Sequence, residues 1–185
     1  MILLGRCLGL LVEAEQELSR ALLAVSARHA RDPEIWQTAT LLSKWCNAHL
    51  VRLAPLVEKY GRMRDGGPRR VARALFHGSR VGSIGLLRDV HDLSLLTQQV
   101  HVAWNMATQA AKALRDQEFE ETCGEAGKEI ERIAAWLRTL IAHLSAQTLT
   151  VEPDFASELA ASAPKSPTSV PLLEVAKAAI DLLSK

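Results

Sequence analysis

The stretch "DPEIWQTATLLSKWCNAHLVRL", residues 32–53, decides the fold because it carries both a helix start and a long helical stripe. Asp32 can cap a helix, Pro33 suits the first helical position, and Glu34 adds negative charge to the first turn. Mostly apolar residues then recur at steps of three and four, which is typical of an amphipathic helix. They are Ile35, Ala39, Leu42, Cys46, His49, Leu53 and Leu56.

The far end of this helix also carries signals. Pro55 should kink it or break it locally, because proline cannot donate a hydrogen bond to the preceding turn. Gly61 is a suitable C-terminal cap. A very short loop separates this helix from an earlier one, expected over about residues 2–29, so the two should be antiparallel neighbours. The stripe of the earlier helix is apolar except at Glu15.

Two further long helices are expected, over about residues 84–114 and about 117–147. A basic connection precedes them, and the segment 71–76 should make one or two helical turns within it. Beside its arginines, this connection contains a single acidic residue, Asp65. The arginines are Arg62, Arg64, Arg69, Arg70, Arg73 and Arg80.

The composition agrees with an all-α protein. Of the 185 residues, 48% are hydrophobic and only 4% aromatic, and no run alternates apolar and polar residues as a strand does. We expect an antiparallel four-helix bundle over residues 1–148, with one long crossover between the second and third helices. A Ser/Pro/Ala-rich linker over 149–170 and a short amphipathic helix over 171–185 should follow.

The net charge and the cysteines limit which binding partners and which cellular compartment the sequence favours. The formal net charge of +1 gives no general attraction to nucleic acid or acidic lipid. Cys7, Cys46 and Cys123 are an odd, widely spaced set, as expected for reduced thiols of a cytoplasmic protein. The apolar start is interrupted by Arg6 and lacks a signal-peptide cleavage site, and no segment approaches the roughly 18 apolar residues of a membrane helix.

Two polar positions in the stripes carry a family resemblance. Glu15 lies in the first helix, and "CNAH" places Cys46 and His49 one turn apart in the second. With the expected helix order, this pattern resembles the ferritin-like superfamily. The resemblance implies a di-metal centre built from two single glutamates and two E-x-x-H pairs. Glu15 then takes the place of the first glutamate and His49 that of a histidine, while Cys46 replaces an acid.

The other helices depart from the family pattern. The third offers only Gln98 and His101, and the fourth offers His143, with Leu140 where an acid should be, and Glu129 in "EIER", which ends in Arg132. One core glutamate in register is too few for two iron ions, which need several oxygen anions.

Two readings of the second-helix pair remain. A single zinc or iron ion would use Glu15, Cys46 and His49, with help from Gln98 or His101. The simpler interpretation, which we favour, is a buried His49–Glu15 hydrogen bond beside a small apolar Cys46.

No catalytic or cofactor-binding motif is present: there is no P-loop, Gly-rich dinucleotide fingerprint, nucleophile elbow or C-x-x-C pair. Enzymatic activity is therefore undecided, and we lean against it. We expect a binding or assembly module, dimeric, with Trp45 and Trp136 at the partner face. The alternatives are a metalloprotein and an anion- or nucleic-acid-binding regulator that uses Arg69, Arg70 and Arg73.

The terminal helix adds one more expected contact. Its segment 171–184 should dock either on a protein partner or on its own bundle. We expect no membrane partner and, given the scarcity of stacking aromatics among the arginines, no nucleic acid partner.

Overall fold

The computed structural model describes residues 2–63, 66–78, 80 and 82–150. Within this part of the chain, all regular structure is helical and no strand occurs, which confirms the all-α prediction. The helices are α1 (Ile2–Arg28), α2 (Pro33–Tyr60), α3 (Gly67–Ala74), α4 (Gly82–Leu114) and α5 (Gln117–Leu149). The expected terminal helix and all but the first two residues of the expected linker lie outside the described residues.

The sequence signals of α2 are confirmed at both ends. The Asp32 side chain accepts hydrogen bonds from the backbone N–H groups of Glu34 and Ile35, and Gly61 caps the other end with a φ of 80°. The expected break at Pro55 is absent, since α2 runs as one helix through it. Pro55 has no N–H group to donate to the backbone carbonyl of Val51, four residues earlier. Val51 is 73% exposed, so water can satisfy that carbonyl.

The short helix α3 is also displaced from its prediction. It begins at Gly67 and ends at Ala74, whereas the segment 71–76 was expected. Pro68 lies in its first turn and Gly66 precedes it with a φ of 72°, a conformation that glycine adopts readily. Phe76 lies beyond the helix with a φ of 52°, so the helix cannot continue to it.

Hydrogen bonds between side chains show that α1 and α2 run antiparallel. Ser26 pairs with Thr40 at 2.8 Å, and Ser19 donates to Asn47 at 3.1 Å. The residue numbers therefore fall along α1 as they rise along α2. The same reversal relates α2 to α5, where Lys59 pairs with Asp116 and the earlier Arg52 pairs with the later Glu129.

The core lies where α1, α2, α4 and α5 face one another. Trp104 is 1% exposed, whereas Trp36 is 48% exposed and Trp45 and Trp136 are half-buried at the edge of the core. The largest fully buried aliphatic side chains are Leu8, Leu11, Leu18, Leu22, Leu53, Leu93, Leu96, Ile130, Ile133 and Leu137. The polar side chains of Glu15, His49 and Asp89 are also fully buried, and such groups need partners.

Two glycines of α1 allow the chain after α2 to approach closely. The backbone N–H of Met63 donates to the carbonyl oxygen of Gly5 at 2.8 Å. A Cβ atom placed on Gly9 would lie 1.6 Å from the carbonyl oxygen of Met63. Because that neighbour is backbone rather than a flexible side chain, the connection must move to admit a methyl group.

We expect Gly9→Ala to lower the free energy of unfolding by about 1–3 kcal/mol, since overpacking outweighs the gain in helix propensity. Gly124→Ala is the matched control: this position lies in α5, and apart from its chain neighbours and the nearby backbone of its own helix no atom lies within 4 Å of the added Cβ. The control should gain about 0.5–1 kcal/mol. Urea unfolding of both variants measures the difference, and equal gains at the two sites would contradict the close approach.

Candidate functional site

The interior of the protein holds a buried acid on α1. The carboxylate oxygen Oε1 of Glu15 lies 2.8 Å from Nδ1 of His49 on α2, and Nε1 of Trp104 on α4 donates to the same oxygen at 2.6 Å. The side chains of Glu15 and His49 have no exposed surface. Three helices thus contribute to one polar cluster, which the apolar core surrounds.

This cluster continues outward from His49. Its second ring nitrogen, Nε2, lies 2.7 Å from Oε2 of Glu129 on α5, and Nη2 of Arg52 donates to the same oxygen at 3.1 Å. The Glu129 side chain is 25% exposed. We call Glu15, His49, Glu129 and Arg52 the polar chain: it leads from the centre of the protein to its surface.

Opposite charges alternate along the polar chain. Carboxyl groups flank both ring nitrogens of His49, an arrangement that favours the imidazolium form, in which both nitrogens donate. Burial opposes that charge, but the hydrogen bonds and charges of Glu15 and Glu129 outweigh it and raise the pKa of His49 above its ordinary value. The four side chains then carry two negative and two positive charges, so the buried Glu15 is compensated.

The pKa of Glu129 is shifted in the matching direction. Partial burial disfavours its charged form, yet the hydrogen bonds from His49 and Arg52 hold the pKa of this carboxyl below its usual range. Glu129 is therefore ionised at neutral pH. It shields His49 from the solvent on the α5 side and links the histidine to Arg52.

Cys46 lies next to this cluster but in a different chemical state. Burial first, and the nearby Glu15 carboxylate second, raise the pKa of its thiol far above the ordinary value. The residue is 0% exposed. Cys46 is therefore a neutral thiol at any physiological pH, as a small apolar core residue would be.

The arrangement is a poor fit to the metal site that Glu15, Cys46 and His49 were expected to form. Structural zinc needs four donors aimed at one point, and catalytic zinc needs three. Both nitrogens of His49 point instead at carboxylates, and Cys46 is protonated. In the described chain no three His, Cys, Asp or Glu side chains are grouped for an ion. Oε2 of Glu15 is nevertheless buried without a hydrogen-bond partner, and the metal site stays a prediction.

The remaining candidate ligands lie elsewhere. Gln98 is exposed, His101 is half-buried, and His143 is exposed and hydrogen-bonded to Gln147. Neither Gln98 nor His101 contributes a hydrogen bond to Glu15 or His49 in the described part of the chain. The arginines proposed for anion binding are exposed on or beside the surface of α3. They are Arg69, Arg70 and Arg73.

Three members of the cluster were not predicted from the sequence: Glu129, Arg52 and Trp104. Glu129 lacks the family's histidine partner three residues later, and nothing in the local sequence around Arg52 or Trp104 indicates a polar partner. The available signal was weak: Glu129 directly precedes Ile130, an apolar residue that is fully buried in the structure, so Glu129 lies at the edge of the core. Whether Arg52 of α2 contacts Glu129 depends on how α2 and α5, two helices far apart in sequence, pack together.

A second buried acid lies nearer the ends of the helices. Asp89 on α4 accepts from Nη1 of Arg28 at 2.5 and 2.6 Å and lies 2.8 Å from Nε2 of His29. Nη1 of Arg80 is 3.4 Å away. Burial opposes ionisation, but the hydrogen bonds from His29 and Arg28 lower the pKa of Asp89. This acid thereby connects the end of α1 with the residues before α4.

Asp92, one turn later, holds the same connection. It accepts from Nη2 of Arg80 at 2.6 Å and from the backbone N–H of Phe76 at 2.7 Å. His91 also contacts it, at 3.1 Å. Despite partial burial, these partners lower the pKa of Asp92. The two acids therefore fix the segment between α3 and α4 against the body of the protein.

Comparisons with protein-family models, with curated proteins and with solved structures found no match to this chain. Among the described helices, none is both long and apolar enough to span a membrane. Function must therefore be argued from the geometry of the site itself.

Proposed function

We propose that this chain is a non-catalytic helical module that acts in binding or assembly. Its long helices would form a four-helix bundle with one extended connection, similar to the ferritin-like superfamily. The observation that carries the proposal is the saturation of His49, whose two ring nitrogens are both held by carboxylates at 2.8 and 2.7 Å. Paired side chains would thus compensate the charge of buried carboxylates, which metal ions compensate in that superfamily.

The burial of the polar chain supports a structural role. Glu15 and His49 have no exposed side-chain surface, and a general base must come within hydrogen-bond reach of its substrate. Trp104 covers the same carboxylate and packs edge-on to the His49 ring, with centroids 5.8 Å apart. A substrate would have to displace core residues before it met either group.

The outer face of α4 supports assembly. Leu95, Val102 and Met106 are 45%, 48% and 50% exposed. Their spacing of seven and four residues places them on one side of the helix. We propose that this stripe pairs with the same stripe of a second copy, as the self-complementary contact of a twofold dimer. It replaces Trp45 and Trp136 as the proposed face, since both of those pack against their own core.

Native mass spectrometry of the full chain, purified without an affinity tag, tests the assembly. We expect a dimer that Val102→Glu converts to a monomer, because a charge would be buried at the centre of the contact. Val51→Glu is the matched control, since Val51 is 73% exposed on α2 and its replacement should leave the dimer intact. A monomeric wild-type protein, or a dimer that survives Val102→Glu, would rule out this face.

Elemental analysis of the same preparation tests the alternative function, a metalloprotein with one zinc or iron ion. That alternative is favoured by the unpartnered Oε2 of Glu15 beside Cys46. It requires Cys46 to lose its proton and His49 to break a hydrogen bond. Metal near one equivalent per chain, lost in His49→Ala, would establish a metalloprotein. It would rule out the proposal that carboxylates occupy both ring nitrogens of His49.

A further inference from the structure

A groove of about 230 Å³ lies between α1 and α3. Its apolar floor consists of Ala21 and Ala24 from α1, Ala72 from α3, and Phe76 from the segment after α3. The volume is below the usual range of small-molecule sites, but it is sufficient for an amino-acid side chain. The groove therefore suits one anchoring side chain of a protein segment better than a free metabolite.

The aromatic ring of this floor is fixed from two sides. Phe76 has a φ of 52°, a conformation that bulky residues rarely adopt. Its backbone N–H donates to Asp92 of α4 at 2.7 Å, and the guanidinium carbon of Arg80 lies 5.6 Å from the centroid of its ring. Because these contacts hold both the backbone and the ring, the groove is formed before a partner binds, which lowers the entropic cost of binding.

Two arginines at the edge of the groove share one carboxylate. Nη1 of Arg20 donates to Oε1 of Glu17 at 2.5 Å, and Nε of Arg69 lies 3.6 Å from the same oxygen. The side chains of Arg20 and Arg69 are 57% and 59% exposed. One carboxylate cannot balance two guanidinium groups, so this edge of the groove is positively charged.

Two further arginines of α3 increase the positive charge. Arg70 and Arg73 are exposed, and neither forms an ion pair within the part of the chain that the structure describes. Arg73 directly follows Ala72 of the groove floor, and Arg69 precedes Ala72 by one helical turn. Arg69 and Arg73 thus flank the groove on its α3 side.

The described charges on this side of α1 and α3 leave an excess of two positive charges. Two acids, Glu13 and Glu17, are present against four arginines. Arg28 also lines the groove, but it is paired with Asp89. The four arginines are Arg20, Arg69, Arg70 and Arg73. Because the floor is apolar and the rim is positive, the complementary surface is an apolar side chain flanked by acidic residues.

We propose that this groove binds an acidic segment of a partner protein, in which one apolar side chain is flanked by aspartates or glutamates. The apolar side chain packs against Ala24 and Ala72, and the acids pair with Arg69 and Arg73. Nucleic acid suits the surface less well, since Phe76 is the one aromatic residue in the described lining and it is half-buried. The proposal rests on the binding function proposed above but not on the α4 stripe.

Fluorescence polarisation of a labelled peptide, titrated with the full chain, tests the proposal. The peptide carries one central leucine with four glutamates on each side. We expect saturable binding at low ionic strength, with a dissociation constant on the order of 0.1 mM, and weaker binding at high salt. The double variant Arg69→Gln/Arg73→Gln should weaken binding at least about tenfold, because it removes two charge-assisted hydrogen bonds. The matched control Arg132→Gln/Arg138→Gln removes two exposed arginines of α5 and should bind as wild type does.

Two further arms test the apolar part of the contact. A peptide with serine in place of the central leucine keeps the charge and should bind at least about tenfold more weakly, since it buries no apolar side chain. Ala24→Phe fills the groove without changing its charge and should weaken binding of the leucine peptide to the same degree. Ala54→Phe, at an exposed position of α2, is its control, and circular dichroism checks the folding of both variants.

Val102→Glu should bind the leucine peptide as tightly as wild type does, so failure of the α4 contact and failure of this groove are distinguishable. Absence of saturable binding, equal binding of the leucine and serine peptides, or binding that survives the loss of Arg69 and Arg73 overturns the proposal. A single-stranded oligonucleotide of the same charge that binds as tightly as the leucine peptide also overturns it, in favour of a nucleic-acid-binding surface.

Discussion

His49→Leu is expected to lower the free energy of unfolding by about 3–5 kcal/mol, the usual cost of removing one partner of a buried ion pair. The variant keeps the volume of the side chain but leaves the fully buried Glu15 carboxylate with Trp104 as its remaining hydrogen-bond partner. On the outer side, Glu129 keeps Arg52 and loses less. Urea unfolding of the full chain gives the change directly.

A double variant identifies the cause of that loss. Glu15→Leu combined with His49→Leu removes both charges, so the buried carboxylate no longer needs compensation. We expect the double variant to be more stable than His49→Leu alone, although Trp104 Nε1 then lacks its acceptor. His143→Leu changes an exposed histidine of α5 and should stay within about 0.5 kcal/mol of wild type. Equal losses in the single and double variants would show that His49 contributes packing rather than charge.

The pH dependence provides an independent readout of the same pair. The pKa of His49 is raised in the folded protein from 6.5, so its contribution is complete below pH 6.5 and is lost as pH rises through the folded value. The lowered pKa of Glu129 has the opposite consequence, a contribution lost on acidification below its unfolded value of 4.5. We expect wild-type stability to decline as the pH rises above 6.5 and through the raised pKa of His49, and His49→Leu to remove most of that decline.

Local signals in the sequence predicted the helices well because they act within a few residues. Asp32 and Pro33 define the start of α2 through its own backbone, and the apolar spacing defines which side faces the core. Glu15 and His49 interrupt two such stripes, so their burial and mutual contact also followed. The continuation through Pro55 did not follow, since it depends on whether the freed carbonyl faces water.

The partners of the buried charges could not be predicted in the same way. Glu129 is 80 residues from His49 in sequence, and its contact depends on the relative rotation of α2 and α5. Asp89 directly precedes Val90, a buried core residue of α4, and so has the sequence position of a boundary residue. Its burial requires Arg28 from α1 and Arg80 from the preceding segment to arrive together, which no periodicity encodes. Long-range charge pairing is therefore the part of the site that only the structure reveals.

Asp89→Asn should lower the free energy of unfolding by about 3 kcal/mol, because it keeps the shape of the residue but removes the charge that balances nearby cations. Among the described residues, Arg80, 8% exposed, would then keep Asp92 as its one acidic partner, and His29 would lose its 2.8 Å partner. The lowered pKa of Asp89 agrees with a carboxylate that is ionised throughout the neutral range.

The expected loss is concentrated at the connection between α3 and α4, which a second measurement can detect. Limited trypsin digestion of Asp89→Asn should cleave after Arg80 faster than in wild type, since the arginine loses one of the two acids that hold it. Glu131→Gln, an exposed charge change on α5, is the control and should alter neither stability nor cleavage. If Asp89→Asn unfolds within about 0.5 kcal/mol of wild type, Arg28, His29 and Arg80 do not need this charge. The segment before α4 must then be held by the Asp92 contacts, including the backbone N–H of Phe76.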